Sequence, residues 1–141
     1  YYDIISLKKK NYYTLLAWDG NNSRTSKRII DVIEIKNNKI IFGKNIFIKN
    51  NEIKSRIILE YNSQTSISLK YDLKQNSIIF DNLILFKEEQ KNSDQFYIQD
   101  GSYNSYKYIN EKWQYQENID VRIEDLTPKR NKKREKGLFK R

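Results

Sequence analysis

Asp19-Gly20-Asn21-Asn22-Ser23 places side-chain oxygens on Asp19, Asn21 and Ser23 at the spacing of the first three ligands of a calcium-binding loop. The pattern then fails. The sixth position is Arg24 where a sharp turn needs Gly, and the twelfth is Ile30 where a bidentate Glu would close the shell. All five residue types favour turns through local hydrogen bonds or positive φ, so a plain turn is the better reading and no metal is expected. Asp81, Asp100 and Asp120 each follow apolar strand-like residues. Any two of them, held about 5 to 10 Å apart, could act as general acid and base on a glycan, but nothing in their spacing brings them together. The chain has no His, no Cys and no Met, which removes Ser-His-Asp and Cys-His catalysis together with thiolate metal sites. Its four glycines, at 20, 43, 101 and 137, form no phosphate-cradling loop. The expectation is a protein without enzymatic activity and without a cofactor.

Aromatic side chains are the other candidates for a site. Eleven Tyr and two Trp could stack on sugars or bases, and Tyr97, Tyr103, Tyr106, Tyr108, Trp113 and Tyr115 form the densest group. Their alternate spacing along strands favours packing in a core or across strands instead. Weak binding candidates are therefore Trp18, Asp19, Asn21, Asn22, Asp81, Asp100, Tyr103, Tyr106 and Trp113.

Charge is distributed unevenly. Seven of the nine net positive charges lie in residues 127–141, where eight Lys or Arg face the single carboxylate of Glu135. Residues 1–126 are close to neutral, with 19 basic and 17 acidic groups, so the body lacks the basic stripe that neutralises phosphates. The tail has only Leu138 and Phe139 as apolar residues and is expected to be disordered by itself. Lys129, Arg130, Lys132, Lys133 and Arg134 could touch anionic lipid or nucleic acid, in contacts that salt would weaken.

These residues need elements to position them, and the dominant pattern is short extended runs separated by Asn-rich breaks. In 66–72, Ile67, Leu69 and Tyr71 alternate with polar residues, a period of two that lays one face on a core. Ile57, Leu59 and Tyr61 repeat the pattern, and residues 73–77 could turn the chain into 78–80. Tyr106 and Tyr108 precede Asn110-Glu111, after which Trp113 and Tyr115 resume the alternation, as in a hairpin. Further strands are expected at 4–7, 12–18, 39–42, 45–48 and 95–98. Large apolar groups on both faces of 12–18 predict a central strand. Residues 26–36 also fit a helical stripe through Ile29, Ile30 and Ile33, although β-branched residues favour strand. Eight or nine such strands predict a mostly β fold, an antiparallel meander forming a sandwich or a partly closed barrel, with one domain over 1–126 and the basic tail over 127–141. The longest apolar stretches, such as 83–86, fall far below the roughly 20 residues of a membrane-spanning helix. A first residue Tyr1 suggests a processed form or the later part of a longer protein.

Several runs together resemble a family of uncharacterised exported proteins of Bacteroidota: Tyr12-Tyr-Thr-Leu-Leu-Ala-Trp-Asp-Gly-Asn-Asn22, Leu59-Glu-Tyr61, Leu69-Lys-Tyr-Asp72, Ile79-Phe-Asp-Asn-Leu83, Ser102-Tyr103, Tyr106-Lys107, Lys112-Trp113 and Ile119-Asp120. The resemblance runs over about residues 12–122 and keeps the order of the motifs. It implies export through a signal peptide, a periplasmic or outer-membrane-associated location and a partner in another envelope protein or assembly, with no known activity or cofactor. Ala17 stands where similar sequences have Gly, and Asn82 where they often have His. A step that needed that His would be lost here. The reading is a non-enzymatic binding or structural component of the cell envelope; the alternatives are a carboxylate-based hydrolase of glycans or cell wall, and an anionic-surface binder working through the tail.

Overall fold

The computed structural model describes residues 1–7, 10–86 and 96–121, and these form an all-β fold of two facing sheets. The basic tail, including Lys129, Arg130, Lys132, Lys133 and Arg134, lies outside the described residues, as does Gln95. The strands are β1 (Asp3–Ser6), β2 (Tyr12–Asp19), β3 (Thr25–Lys36), β4 (Lys39–Phe42), β5 (Phe47–Lys49), β6 (Glu52–Lys54), β7 (Ile57–Asn62), β8 (Leu69–Asp72), β9 (Ser77–Phe86), β10 (Phe96–Ile109) and β11 (Lys112–Gln116).

The first sheet runs β1-β2-β3-β4, with β7 also on β3. The twelve residues of β3 explain this: β4 pairs with positions 33–36 and leaves 25–30 of the same edge for β7. The second sheet runs β6-β5-β11-β10-β9-β8. A simple meander thus holds for β1–β4 and for β8–β11 but not for the whole chain. β5 and β6 cross to the second sheet, β7 returns, and β5 meets β11 in the one parallel pairing among the described strands.

The 26–36 segment is a strand. Ile30 and Val32 enter the core while Ile29, Asp31 and Ile33 take the opposite face, as period two requires and a helix would forbid. β2 lies between β1 and β3 with Leu15 and Leu16 buried on opposite faces, as expected of a central strand. Leu16, Ile30 and Val32 from the first sheet meet Phe47, Ile78 and Trp113 from the second in one core. Each such aliphatic or aromatic side chain contributes about 1.5–3 kcal/mol on full burial. The indole N–H of Trp113 donates to Thr14 Oγ1 across the two sheets at 3.0 Å, giving the buried indole its partner.

The described residues hold eleven strands where eight or nine were expected: Glu52–Lys54 is an unforeseen strand, 45–48 is strand only from Phe47, and two further assignments differ. In 66–72 only Leu69–Asp72 is strand, although Ile67 is buried as its spacing implies. The Asp81 carboxylate takes the Ser68 N–H at 2.6 Å and its hydroxyl at 3.0 Å, so a side chain replaces a ladder bond there. Residues expected to form two separate strands around 95–98 and 106–108 are one strand, β10, bent by a bulge between Gln99 and Tyr103. Gly101 supplies the positive φ of 86° within it.

Candidate binding cleft

The turn after β2 is held by its own side chains, and of the oxygens that suggested calcium Asp19 Oδ1 is engaged in it. Asp19 Oδ1 accepts from the Asn21 N–H at 2.8 Å, and Asn22 Oδ1 accepts from the N–H groups of Arg24 and Thr25. Asn21 sits at φ 45° and its amide donates to Thr25 Oγ1. Among the described residues no group of three or more acidic, His or Cys side chains gathers to hold a metal. Trp18 is half-exposed, donates its indole N–H to the Tyr61 hydroxyl at 3.2 Å and packs its ring beside Gly20, where an added Cβ would approach to 3.2 Å.

The other candidates scatter. Asp81 is buried and holds Ser68. Asp100 is exposed at the bulge, where it accepts from the Ser102 hydroxyl (2.6 Å), the Ser102 N–H (2.9 Å) and the Asn82 amide (2.8 Å). These donors, the Ser102 hydroxyl foremost, hold its carboxyl below the usual range. Trp113 and Tyr106 are core residues, at 0% and 3% exposure, so neither offers a face for stacking. Tyr103 is half-buried and borders a shallow depression with Ser102 and Asn118.

A cleft opens where the inner face of the second sheet loses its apolar residues. Phe80 on β9 is followed two positions later by Asn82; Tyr106 on β10 is preceded by Asn104; Phe47 on β5 is followed by Lys49. All three substitutions fall on one side of the sheet, because side chains two apart share a face. Lys54 on β6, cross-strand from Phe47, stands on the same side, and with β7 as the opposite wall these residues enclose about 240 Å³. Lys49 Nζ stands 4.3 Å from the centroid of the Tyr115 ring, a cation–π contact. Lys54 Nζ is 3.9 Å from Glu52, and Arg56 donates to Asp31 at 2.7 Å. The two amides are linked: Asn104 Nδ2 donates to Asn82 Oδ1 at 2.7 Å, Asn82 Nδ2 donates to Asp100, and Asn104 Oδ1 accepts from the Asn118 N–H at 3.0 Å. Burial pushes the Tyr106 hydroxyl up to about 12, so it stays a neutral donor.

Of the cleft residues, Asp81 and Tyr106 were on the sequence-derived set, whereas Lys49, Lys54, Asn82, Asn104 and Tyr115 were not. The available signal was a polar residue occupying the next apolar slot of a period-two run, as in Phe47-Ile48-Lys49 and Phe80-Asp81-Asn82. Comparison with protein-family models, with curated proteins and with solved structures finds no match to this chain.

Proposed function

We propose that this chain acts without catalysis, as a binding or structural component of the bacterial cell envelope. The observation that carries this reading is the ribbon formed by the outer parts of β9 and β10. Beyond the bulge, residues 83–86 pair with 96–99, while β8 pairs only with 77–80 of β9 and β11 only with 105–109 of β10. No charged residue occurs in 82–86 or 96–99. The successive residues Ile84, Leu85 and Phe86 are all 38–45% exposed, so both faces of the ribbon meet solvent, and Tyr97 is 46% exposed. Exposed apolar surface of this kind marks contacts with other proteins, and a two-stranded ribbon gains stability from a third element.

The carboxylates support the same reading. Asp19, Asp81 and Asp100 each secure their own turn, loop or bulge, and their hydrogen bonds are with neighbouring backbone and side chains. The envelope location rests on the resemblance over residues 12–122.

The test is recovery of partners by the immobilised full chain from solubilised envelope fractions. A Leu85→Glu, Tyr97→Glu double variant should lose the partner that the wild type retains while unfolding at the same temperature. Retention of that partner by the folded double variant would overturn the ribbon as the contact. Glycan hydrolysis abolished by Asp100→Asn, with folding intact, would replace the reading with the hydrolase alternative.

A further inference from the structure

The cleft between the sheets has a chemical bias that the ribbon does not explain. Asn104 uses one amide hydrogen and its oxygen within the network, as does Asn82, so each side chain has one N–H left and its oxygen already engaged. Lys49 brings three donors, and its contact among the described residues is the Tyr115 face. Lys54 lies 3.9 Å from Glu52 and Arg56 turns its guanidinium to Asp31, so the excess positive charge at the rim is that of Lys49. Asp81, between Phe80 and Asn82 on β9, turns its carboxylate to the other face, where Oδ2 accepts from Ser68. Unused hydrogen-bonding capacity is therefore mainly N–H, with excess positive charge at the rim. The volume, about 240 Å³, is below the roughly 300–1,000 Å³ of pockets that take drug-sized molecules. Tyr115 and Phe80 supply an apolar wall on which a ring could rest.

We propose that this cleft binds a small organic anion, a carboxylate- or phosphate-bearing molecule about the size of one sugar ring. Carboxylate and phosphate are acceptor-rich, match the N–H groups of Asn82 and Asn104, and would draw Lys49 and Lys54 over the mouth in charge-assisted hydrogen bonds. A neutral sugar of the same size would lack that attraction.

Amide-resolved NMR titration of the full chain with glucuronate, glucose 6-phosphate and glucose tests this. Either anion should shift the side-chain amides of Asn82 and Asn104 and the backbone of 80–83 saturably in the millimolar range, and glucose should not. A stronger response to glucuronate assigns a sugar acid; a stronger response to glucose 6-phosphate assigns a sugar phosphate. A Lys49→Met, Lys54→Met double variant should bind about tenfold more weakly or worse, the loss expected for charge-assisted hydrogen bonds. Lys49→Glu, a reversal at an exposed position, should abolish the response in a protein whose spectrum stays dispersed. Equal shifts with glucose, absence of saturable shifts with both anions, or unchanged affinity in the double variant would overturn the proposal. The ribbon variants leave the cleft intact and should keep the shifts, so the two readings fail separately.

Discussion

Asp31 carries the largest single-residue burden outside the cleft. It lies on β3 facing away from the shared core, yet its side chain is 0% exposed, while its partner Arg56 is 45% exposed. Arg56 donates to Oδ2 at 2.7 Å, the Tyr1 hydroxyl donates to the same oxygen at 3.1 Å, and the Val32 N–H donates to Oδ1 at 3.0 Å. The hydrogen bond to Asp31 raises the Arg56 pKa, which keeps the guanidinium charged at every accessible pH. The two ends are asymmetric. Removing Arg56 leaves a buried carboxylate without its cation; removing the Asp31 charge leaves a guanidinium that water already reaches. Arg56→Met should therefore cost about 2–4 kcal/mol, slightly under the range for a fully buried pair because Arg56 is part-exposed. Asp31→Asn should cost less, and urea unfolding of the two variants measures the difference. Equal costs would show that water reaches Asp31 once Arg56 is shortened. Neither residue was legible as a pair in the sequence, since they are 25 positions apart and only the β3–β7 pairing joins them.

At the scale of the element, Asn makes the turns. Residues with positive φ include Asn21, Asn37, Asn38, Asn50, Asn76 and Asn110, which lie in the breaks that separate the strands, and Asn118, just past β11. Asn tolerates this region because its short polar side chain bonds locally, so a residue whose abundance could come from genomic composition alone also does structural work here. The Asn110-Glu111 hairpin was legible because two residues between alternating runs leave little choice of turn. Its second position is less well matched. Glu111 sits at φ 63°, where Gly is the preferred residue, and its ion pair with Lys10 is at the surface and so contributes little. Glu111→Gly should raise the urea midpoint, and Glu111→Val, a β-branched residue in the same conformation, should lower it. A lower midpoint for the Gly variant would mean that the Lys10 contact outweighs the backbone strain.

For the whole molecule, the tyrosines that fill the space between the sheets predict a response to alkali. Burial is the largest cause of a raised pKa at Tyr71, Tyr106, Tyr108 and Tyr115, and Tyr106 is pushed from 10.0 up to about 12. A hydroxyl that ionises at 10.0 when unfolded and higher when folded binds more protons in the native state between those values, so stability falls as pH rises through that window. The contribution is fully present below pH 10.0 and disappears as the pH approaches about 12. Denaturant midpoints measured across this interval should decline, and tyrosinate absorbance should lag behind that of the urea-unfolded chain. Coincident titration curves for folded and unfolded protein would contradict the buried placement of Tyr106.

Period-two alternation is a local property, and where one face was apolar it determined which side chains face inward: Leu69, Tyr106 and Trp113 all lie where their spacing puts them. Turn residues determined where the chain reverses, and the missing residue types narrowed the chemistry before any fold was known. Alternation names a face but not a partner. The return of β7 to β3, the parallel seam of β5 with β11, the Asp31–Arg56 pair and the meeting of Lys49, Asn82 and Asn104 in one cleft all depend on register between distant strands. That register is set by how the summed apolar faces of two sheets close on each other, which no window of the sequence contains.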